Sequence, residues 1–262
     1  MLEFSVLQTT SAFTIGIFVF ILVTLSYWAG NRLRMRAISR DPEHVKTDVK
    51  TINGMLIGLL GLLLAFTFSM ANSRYDDRRK VIIEEANTIG TTILRTDMYP
   101  DSIRIPLRSL LKDYVESRIA YYAAGSDVKK ALAEFQNAQV LSGKVWRLVT
   151  DYSKVNESTT RTSQMIQTLN DTIDITTTRL SASEGTIPDS IMYFLFILSM
   201  CTSFLMGYDQ GSKIEWLIVI GFSLALSATI FSIVDLDRPR SGLIDMNGPN
   251  QKIIDLREMF KE

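Results

Sequence analysis

Charge is distributed along this chain in blocks. Four stretches, residues 4–31, 51–73, 190–208 and 216–234, carry no charged residue and are 28, 23, 19 and 19 residues long. At about 1.5 Å of rise per residue, 19 residues of helix reach roughly 28 Å, close to the thickness of a bilayer's hydrocarbon core. The pattern predicts four membrane spans, at about 12–29, 52–71, 190–207 and 215–234. Residues 74–186 are different in kind, with 16 Lys/Arg and 15 Asp/Glu. Apolar positions there recur at helical spacing. Ile82, Ala86, Ile89 and Ile93 step four, three, four. Val128, Leu132, Phe135, Ala138, Val145, Leu148 and Tyr152 keep a mostly heptad spacing, and Ile166, Leu169, Ile173, Thr176 and Leu180 do the same. Four helices are expected, over roughly 72–98, 102–124, 127–154 and 160–183, with no alternating strand pattern of useful length. The fold class is therefore all-α: a polytopic membrane protein with two pairs of transmembrane helices flanking a helical-bundle extramembrane domain. The expected parts are 1–73 (spans one and two with a basic connecting loop), 74–186 (the helical domain), 187–235 (a transmembrane hairpin) and 236–262 (a polar tail).

Punctuation refines these boundaries. Tyr27 and Trp28 end the first span, where amphipathic rings favour the membrane–water boundary. Arg32, Arg34 and Arg36 follow it and no basic residue precedes it, which reads as a retained anchor rather than a signal peptide. No Gly or Pro falls between Gly61 and Gly90, so the second span should continue into the first bundle helix. Gly125 should end the second bundle helix, and Ser126 should N-cap the third. Pro188, Asp189 and Ser190 announce the third span. The short link 207–213 makes spans three and four an antiparallel hairpin. In the tail, 246–249 reads as a loop and 251–262 as a short amphipathic helix for the membrane surface or the bundle.

Composition removes several kinds of function. Lys+Arg and Asp+Glu are 28 each, so no basic excess draws nucleic acid. A single cysteine, Cys201, lies in an apolar span and reads as a packing or lipid-facing residue; the single histidine is His44. One of each builds neither a zinc site of the usual kind nor a Cys–His pair. Walker loops, G-x-G-x-x-G and G-x-S-x-G are missing. No enzyme activity, metal or cofactor is expected. Asn156-Glu157-Ser158 and Asn170-Asp171-Thr172 match the glycosylation pattern, which is common by chance.

The positions of interest are small or charged. In the second span Gly54, Gly58, Gly61, Ala65, Ser69 and Asn72 fall on one helical face. Such a face either packs closely on another helix or lines a narrow pore at a subunit axis, with a constriction near Ala65, Phe66 and Ser69. Leu56, Leu59, Leu63, Phe66 and Met70 occupy the other side. The fourth span repeats the device with Gly221, Ala225, Ala228 and Ser232, and two small stripes suggest self-association. Just past the second span, Arg74, Arg78 and Arg79 lie among Asp76, Asp77 and Lys80. They form either a solvated collar or a ring of charge at a pore mouth. A polar run follows: Glu84, Glu85, Asn87, Thr88 and Gly90, with Arg95 one turn on. Glu85 shares a face with Ile89. A mid-helix Gly90 costs about 1 kcal/mol against Ala, which suggests that another backbone packs there, and the polar side chains would be hydrogen-bond partners of Arg95 or of a neighbouring subunit. After the fourth span, Asp235, Asp237, Arg238, Pro239 and Arg240 suit a salt-bridged turn.

The run from Gly61 to Ser69, then Arg74, Arg78 and Arg79, then Glu84-Glu85-Ala86-Asn87, Ile89-Gly90-Thr91 and Leu94-Arg95, closing on Asp235, Asp237, Pro239 and Gly242, resembles the bestrophin-like family of membrane proteins. The resemblance covers about residues 50–245. That family's name reflects a distant likeness to bestrophins, pentameric anion channels with two pairs of spans around a helical cytosolic region. The resemblance thus implies an oligomeric channel with 74–186 on the cytosolic side. Positive charge after the first span predicts the opposite side for that segment. The dense acidic calcium clasp expected of animal bestrophins has no counterpart here.

Three functions compete at this stage. One is an oligomeric anion channel lined by the second span. Another is a non-conducting scaffold or signalling protein whose helical domain binds a protein partner. The third is an ion-driven complex of the stator kind, disfavoured because Asp235 sits only at the edge of otherwise uncharged spans. The partners expected are the lipid bilayer, further copies of the chain and possible protein ligands of the helical domain.

Overall fold

From residue 12 onward the four uncharged stretches are helical in the computed structural model, which describes residues 10–40, 49–125, 127–155, 159–210, 214–238 and 242–261. Among the described residues eight α-helices follow in order: α1 Ala12–Arg40, α2 Lys50–Arg95, α3 Asp101–Ala123, α4 Val128–Val155, α5 Thr159–Glu184, α6 Asp189–Gln210, α7 Trp216–Asp237 and α8 Asn247–Asp255. Short 3-10 segments follow α2 (Thr96–Met98) and α8 (Leu256–Phe260), and no strand occurs among the described residues. Among the described residues four helices are long and apolar enough to cross a membrane. His44, Ser126, residues 156–158, Pro239 and Arg240 lie outside the described residues.

The chain divides into two compact units. One comprises Met1–Arg74 with Thr186–Arg238, and the other Tyr75–Gly185 with Pro239–Glu262. Helix α2 is continuous over 46 residues, as the lack of Gly or Pro after Gly61 predicts.

In the first unit α1 packs against both α6 and α7. Its partners on α6 advance with it, Val23 with Ser203 and Tyr27 with Gly207, so α1 and α6 run parallel. Two glycines set their separation. A Cβ on Gly30 would lie 2.0 Å from the Phe204 carbonyl oxygen, and one on Gly207 would lie 2.0 Å from that of Tyr27. Only hydrogen fits at either position, and each Cα–H points at the facing carbonyl, the weak contact common at close helix interfaces. The Ser203 hydroxyl donates to the Val23 carbonyl and the Ser227 hydroxyl to that of Gly16, both at 2.7 Å. Lipid offers no competing hydrogen bond, so such contacts help hold spans together.

The second unit is a helical bundle. Ile82, Ala86, Ile89 and Ile93 of α2 are all buried, with Leu107, Leu111, Tyr114, Val145, Val149, Met165 and Leu169. The α4 seam differs by one position from the heptad expectation. Ala131, Leu141 and Val149 are inside with Phe135, Ala138 and Val145, while Val128 and Leu132 are exposed. Gly125 ends α3 with a φ of 53°, the left-handed conformation glycine adopts at low cost. The tail helix begins at Asn247 rather than near 251. Pro249 is tolerated because it falls in the first turn, where its missing N–H would have no partner. Met246, Ile253 and Leu256 join the bundle core, so the tail docks on the bundle.

Candidate functional site

The small face of the second span is turned away from the rest of the chain. Gly54, Gly58, Gly61, Ala65, Ser69 and Asn72 are all exposed, and a Cβ on any of the three glycines would meet no atom within 4 Å. The buried positions of this span are Asn53, Leu60, Thr67 and Ala71, on a different side of the helix. Phe66 is not on the small face. With Leu63, Thr67 and Met70 it lines an apolar groove shared with Ser190, Ile191 and Phe194. Helix α7 is arranged the same way. Its packed side carries Val219, Ser223, Leu226, Ser227 and Ile230, whereas Gly221, Ala225 and Ala228 are exposed and Ser232 half-buried. Both stripes thus lie outside the close contacts of their own chain, which fall instead on Gly30 and Gly207. Cys201 is exposed on α6.

The charges expected to sit together after the second span are divided. Arg79 is exposed and Arg74 half-buried, but Arg78 is only 4% exposed, inside the bundle unit. After the fourth span, Asp235 is buried. Asp237 Oδ2 accepts the Ile187 backbone N–H at 2.9 Å, and Arg238 donates to the Thr10 carbonyl. Asp237 and Arg238 thus bind backbone of segments distant in sequence, which spacing alone did not reveal.

The polar run on α2 contains one buried carboxylate, Glu85. Glu85 has no exposed surface and takes two arginines. Arg118 Nε of α3 reaches Oε1 at 2.5 Å, and Arg179 Nη1 of α5 donates to Oε2. Arg179 Nη2 also donates to the Asn250 side-chain oxygen at 2.5 Å, and the Asn250 amide donates to the Met246 carbonyl at 2.6 Å, which brings the tail helix into the network. Both guanidiniums lie over the Tyr121 ring, at 4.7 and 5.6 Å. Burial alone pushes the Glu85 carboxyl up; the Arg179 and Arg118 charges and hydrogen bonds outweigh it and hold the group below the ordinary glutamate range. Burial raises the Tyr114 phenol well above its ordinary value.

Arg95 does not join this network. It donates to the Gln164 carbonyl and the Thr168 hydroxyl of α5. Glu84 and Asn87 are exposed. Gly90 faces side chains rather than a backbone: its Cβ would meet Leu256 Cδ2 at 3.4 Å and Met259 Sδ at 3.8 Å. Arg118, Arg179 and Asn250 were missed by sequence reasoning. The one available signal was the α5 series Thr168, Thr172 and Thr176, ending in Arg179, at four-residue and then three-residue steps. All four are buried, and Thr172 meets the Thr92 hydroxyl at 2.9 Å.

A family profile described as "Bestrophin-like domain" matches residues 17–246. No curated protein sequence matches. Among solved structures, a crystal structure of a membrane protein is similar at 12% identity and a TM-score of 0.71, covering 94% of this chain and 99% of that one. Crystal structures of a bacterial bestrophin homologue from Klebsiella pneumoniae are similar at 12% identity with a TM-score of 0.70, covering 96% and 97% of the two chains, and at 13% with 0.69, covering 94% and 99%. At such identities the likeness speaks for the fold alone.

Proposed function

The chain belongs to the bestrophin-like family, and on that premise we propose that it is a multi-pass protein of the cell membrane that assembles with copies of itself and conducts anions. The small face of α2 lines the axis, narrowest around Ala65 and Ser69. The observation that carries this reading is the exposure of Gly54, Gly58, Gly61, Ala65, Ser69 and Asn72 in a span that buries other positions against its own chain. Small residues at lipid depth admit close helix neighbours, and a second such stripe on α7 supplies a separate contact for assembly. Phe66, off the small face, packs at the flank of the pore helix. Arg74 and Arg79 provide positive charge beyond the span, where it favours anions.

The test is chloride flux from liposomes reconstituted with the purified protein, together with the mass of the detergent-solubilised particle. An oligomer that carries chloride, and whose Ala65→Trp variant retains the mass but loses the flux, is the expected result. An intact oligomer without flux for several ions and voltages would refute conduction and assign the helical unit to binding a protein partner.

A further inference from the structure

The apolar groove at Phe66 lies wholly within the membrane unit, between residues 63–70 of α2 and 190–194 of α6, and has a volume of about 340 Å³. Phe66 and Phe194 line it and stay 62% and 50% exposed. Water finds few partners there. The Thr67 hydroxyl donates to the Leu63 carbonyl of its own helix at 2.7 Å, whereas a held water needs about two to four polar partners. What fills the groove is therefore apolar, either a neighbouring copy of the chain or a lipid chain.

Extent and charge favour the lipid. Leu63, Thr67, Met70 and Arg74 follow at steps of four, three and four, so they share one face of α2. From Arg74 down to Leu63 is roughly 16 Å of helix at 1.5 Å per residue, about half of a hydrocarbon core some 30 Å thick. That is the depth of one leaflet, whereas a neighbouring span lying along α2 would leave a seam through both. Two charges stand at the polar end of the groove. Arg74 is half-buried, one turn past Met70, and Asp189 is half-buried beside Ser190 in the first turn of α6. Among the described residues neither side chain has a hydrogen bond or an ion pair, so they do not bridge each other.

The groove is as apolar as the bilayer around it, so burying a chain there gives no preference by itself. The headgroup decides. A guanidinium takes a phosphate through paired N–H donors, and the Asp189 carboxylate suits an ammonium that donates hydrogen bonds. We infer that the groove holds an acyl chain of a phospholipid whose headgroup is zwitterionic with a primary amine. The chain lies against Phe66 and Phe194, the phosphate on Arg74 and the ammonium on Asp189. Phosphatidylethanolamine has this chemistry. Phosphatidylglycerol lacks the ammonium, and the ammonium of phosphatidylcholine has no N–H to donate. The inference rests on the placement of the spans in lipid and not on conduction. A phosphate on Arg74 leaves Arg79 to supply positive charge at the proposed pore mouth.

The test is native mass spectrometry of the full-length protein in detergent, loaded with an equimolar mixture of phosphatidylethanolamine, phosphatidylcholine and phosphatidylglycerol carrying the same acyl chains. One phospholipid per chain should be retained, with phosphatidylethanolamine enriched about tenfold, the worth of one charge-assisted contact. Arg74→Gln should lower retention of all three by about tenfold or more. Asp189→Asn should remove the preference for phosphatidylethanolamine over phosphatidylcholine. Met70→Trp, which fills the groove from its wall and leaves both charges in place, should abolish retention. Three results overturn the inference: equal retention of the three headgroups by the wild type, retention by Met70→Trp equal to wild type, or a wild-type particle that keeps no phospholipid, which would assign the groove to a neighbouring copy. No flux is read, so failure of this site and failure of the pore reading are told apart.

Discussion

Replacing Gly30 by alanine tests how the spans are held together. The new methyl would lie 2.0 Å from the Phe204 carbonyl oxygen, 2.9 Å from its carbon and 3.0 Å from the Tyr208 nitrogen. All three are backbone atoms, so no rotamer change relieves the contact. Helices α1 and α6 must separate by about 1 Å or more, and a gap of that size forfeits a quarter to a half of each dispersion contact along the interface. Overpacking of this sort costs about 1–3 kcal/mol. Stretching the Ser203–Val23 hydrogen bond adds roughly 0.6 kcal/mol, the average for such bonds in membranes. Gly207→Ala on the facing helix should cost a similar amount. The double variant should cost less than the sum, because separation caused by one methyl makes room for the other. The assay is thermal unfolding of the full chain in detergent, where a loss of this size lowers the midpoint by several degrees. Gly143→Ala is the control. It has the same chemistry on a helix where nothing lies within 4 Å, and it should stabilise by about 0.5–1 kcal/mol through helix propensity alone. A Gly30→Ala midpoint equal to or above wild type would refute the close-approach argument.

Four further outcomes are expected. Glu85→Gln leaves Arg118 and Arg179 without a counter-charge and should destabilise the bundle by about 3–5 kcal/mol in a denaturant melt; a loss below about 1 kcal/mol would mean the pair is not formed. The Glu85 carboxyl is held below its ordinary value of 4.5 in the fold. Its contribution is therefore complete above that pH and is lost as the pH falls below it through the folded value, so the wild-type acid limb should flatten in Glu85→Gln. The Arg257–Glu116 pair is bidentate, at 2.7 and 2.6 Å, yet nearly half exposed on both sides; solvent screening keeps it under about 1 kcal/mol, and Arg257→Ala should leave the melt almost unchanged. Ser227→Ala removes one donor to the Gly16 carbonyl and should cost roughly 0.6 kcal/mol, measurable as a small midpoint drop with the particle mass retained.

The membrane helices were legible because lipid imposes a crude rule. Nineteen residues without a charge leave few alternatives, and α6 and α7 begin within a residue or two of the expected starts. The bundle was legible to within one side chain. On α4 the buried seam runs through Ala131 and Val149 where the larger Leu132 and Leu148 were expected. A strict seven-residue repeat drifts by about 20° per heptad on a straight helix, so a list of heptad positions loses the true seam after a few turns. Of the Glu85 network only the carboxylate itself was legible, and its partners were not. Arg118 is 33 residues away and Arg179 94, and each looks like an ordinary surface charge until the fold brings both to one carboxylate. On α5 polarity hid part of the core, since Thr168, Thr172 and Arg179 face inward beside Thr176 and a search for apolar periodicity passes over these three.

The glycines give a sharper lesson about what a small-residue pattern means. The close approach within the chain uses two isolated glycines, Gly30 and Gly207, which belong to neither stripe. A contact between two spans needs only one or two positions without a side chain, because elsewhere the helices are held apart by ordinary side chains. The stripe from Gly54 to Asn72 is a different object. It covers 18 steps of helix, about 27 Å at 1.5 Å per residue, nearly the full depth of the hydrocarbon core. A single close contact needs no such length. An unbroken small face is what a helix requires when space must be kept open along its whole span, or when a neighbour lies against it from one surface to the other. Both conditions would be met by copies of the same helix arranged around an axis, the proposed arrangement and the one that Ala65→Trp would obstruct.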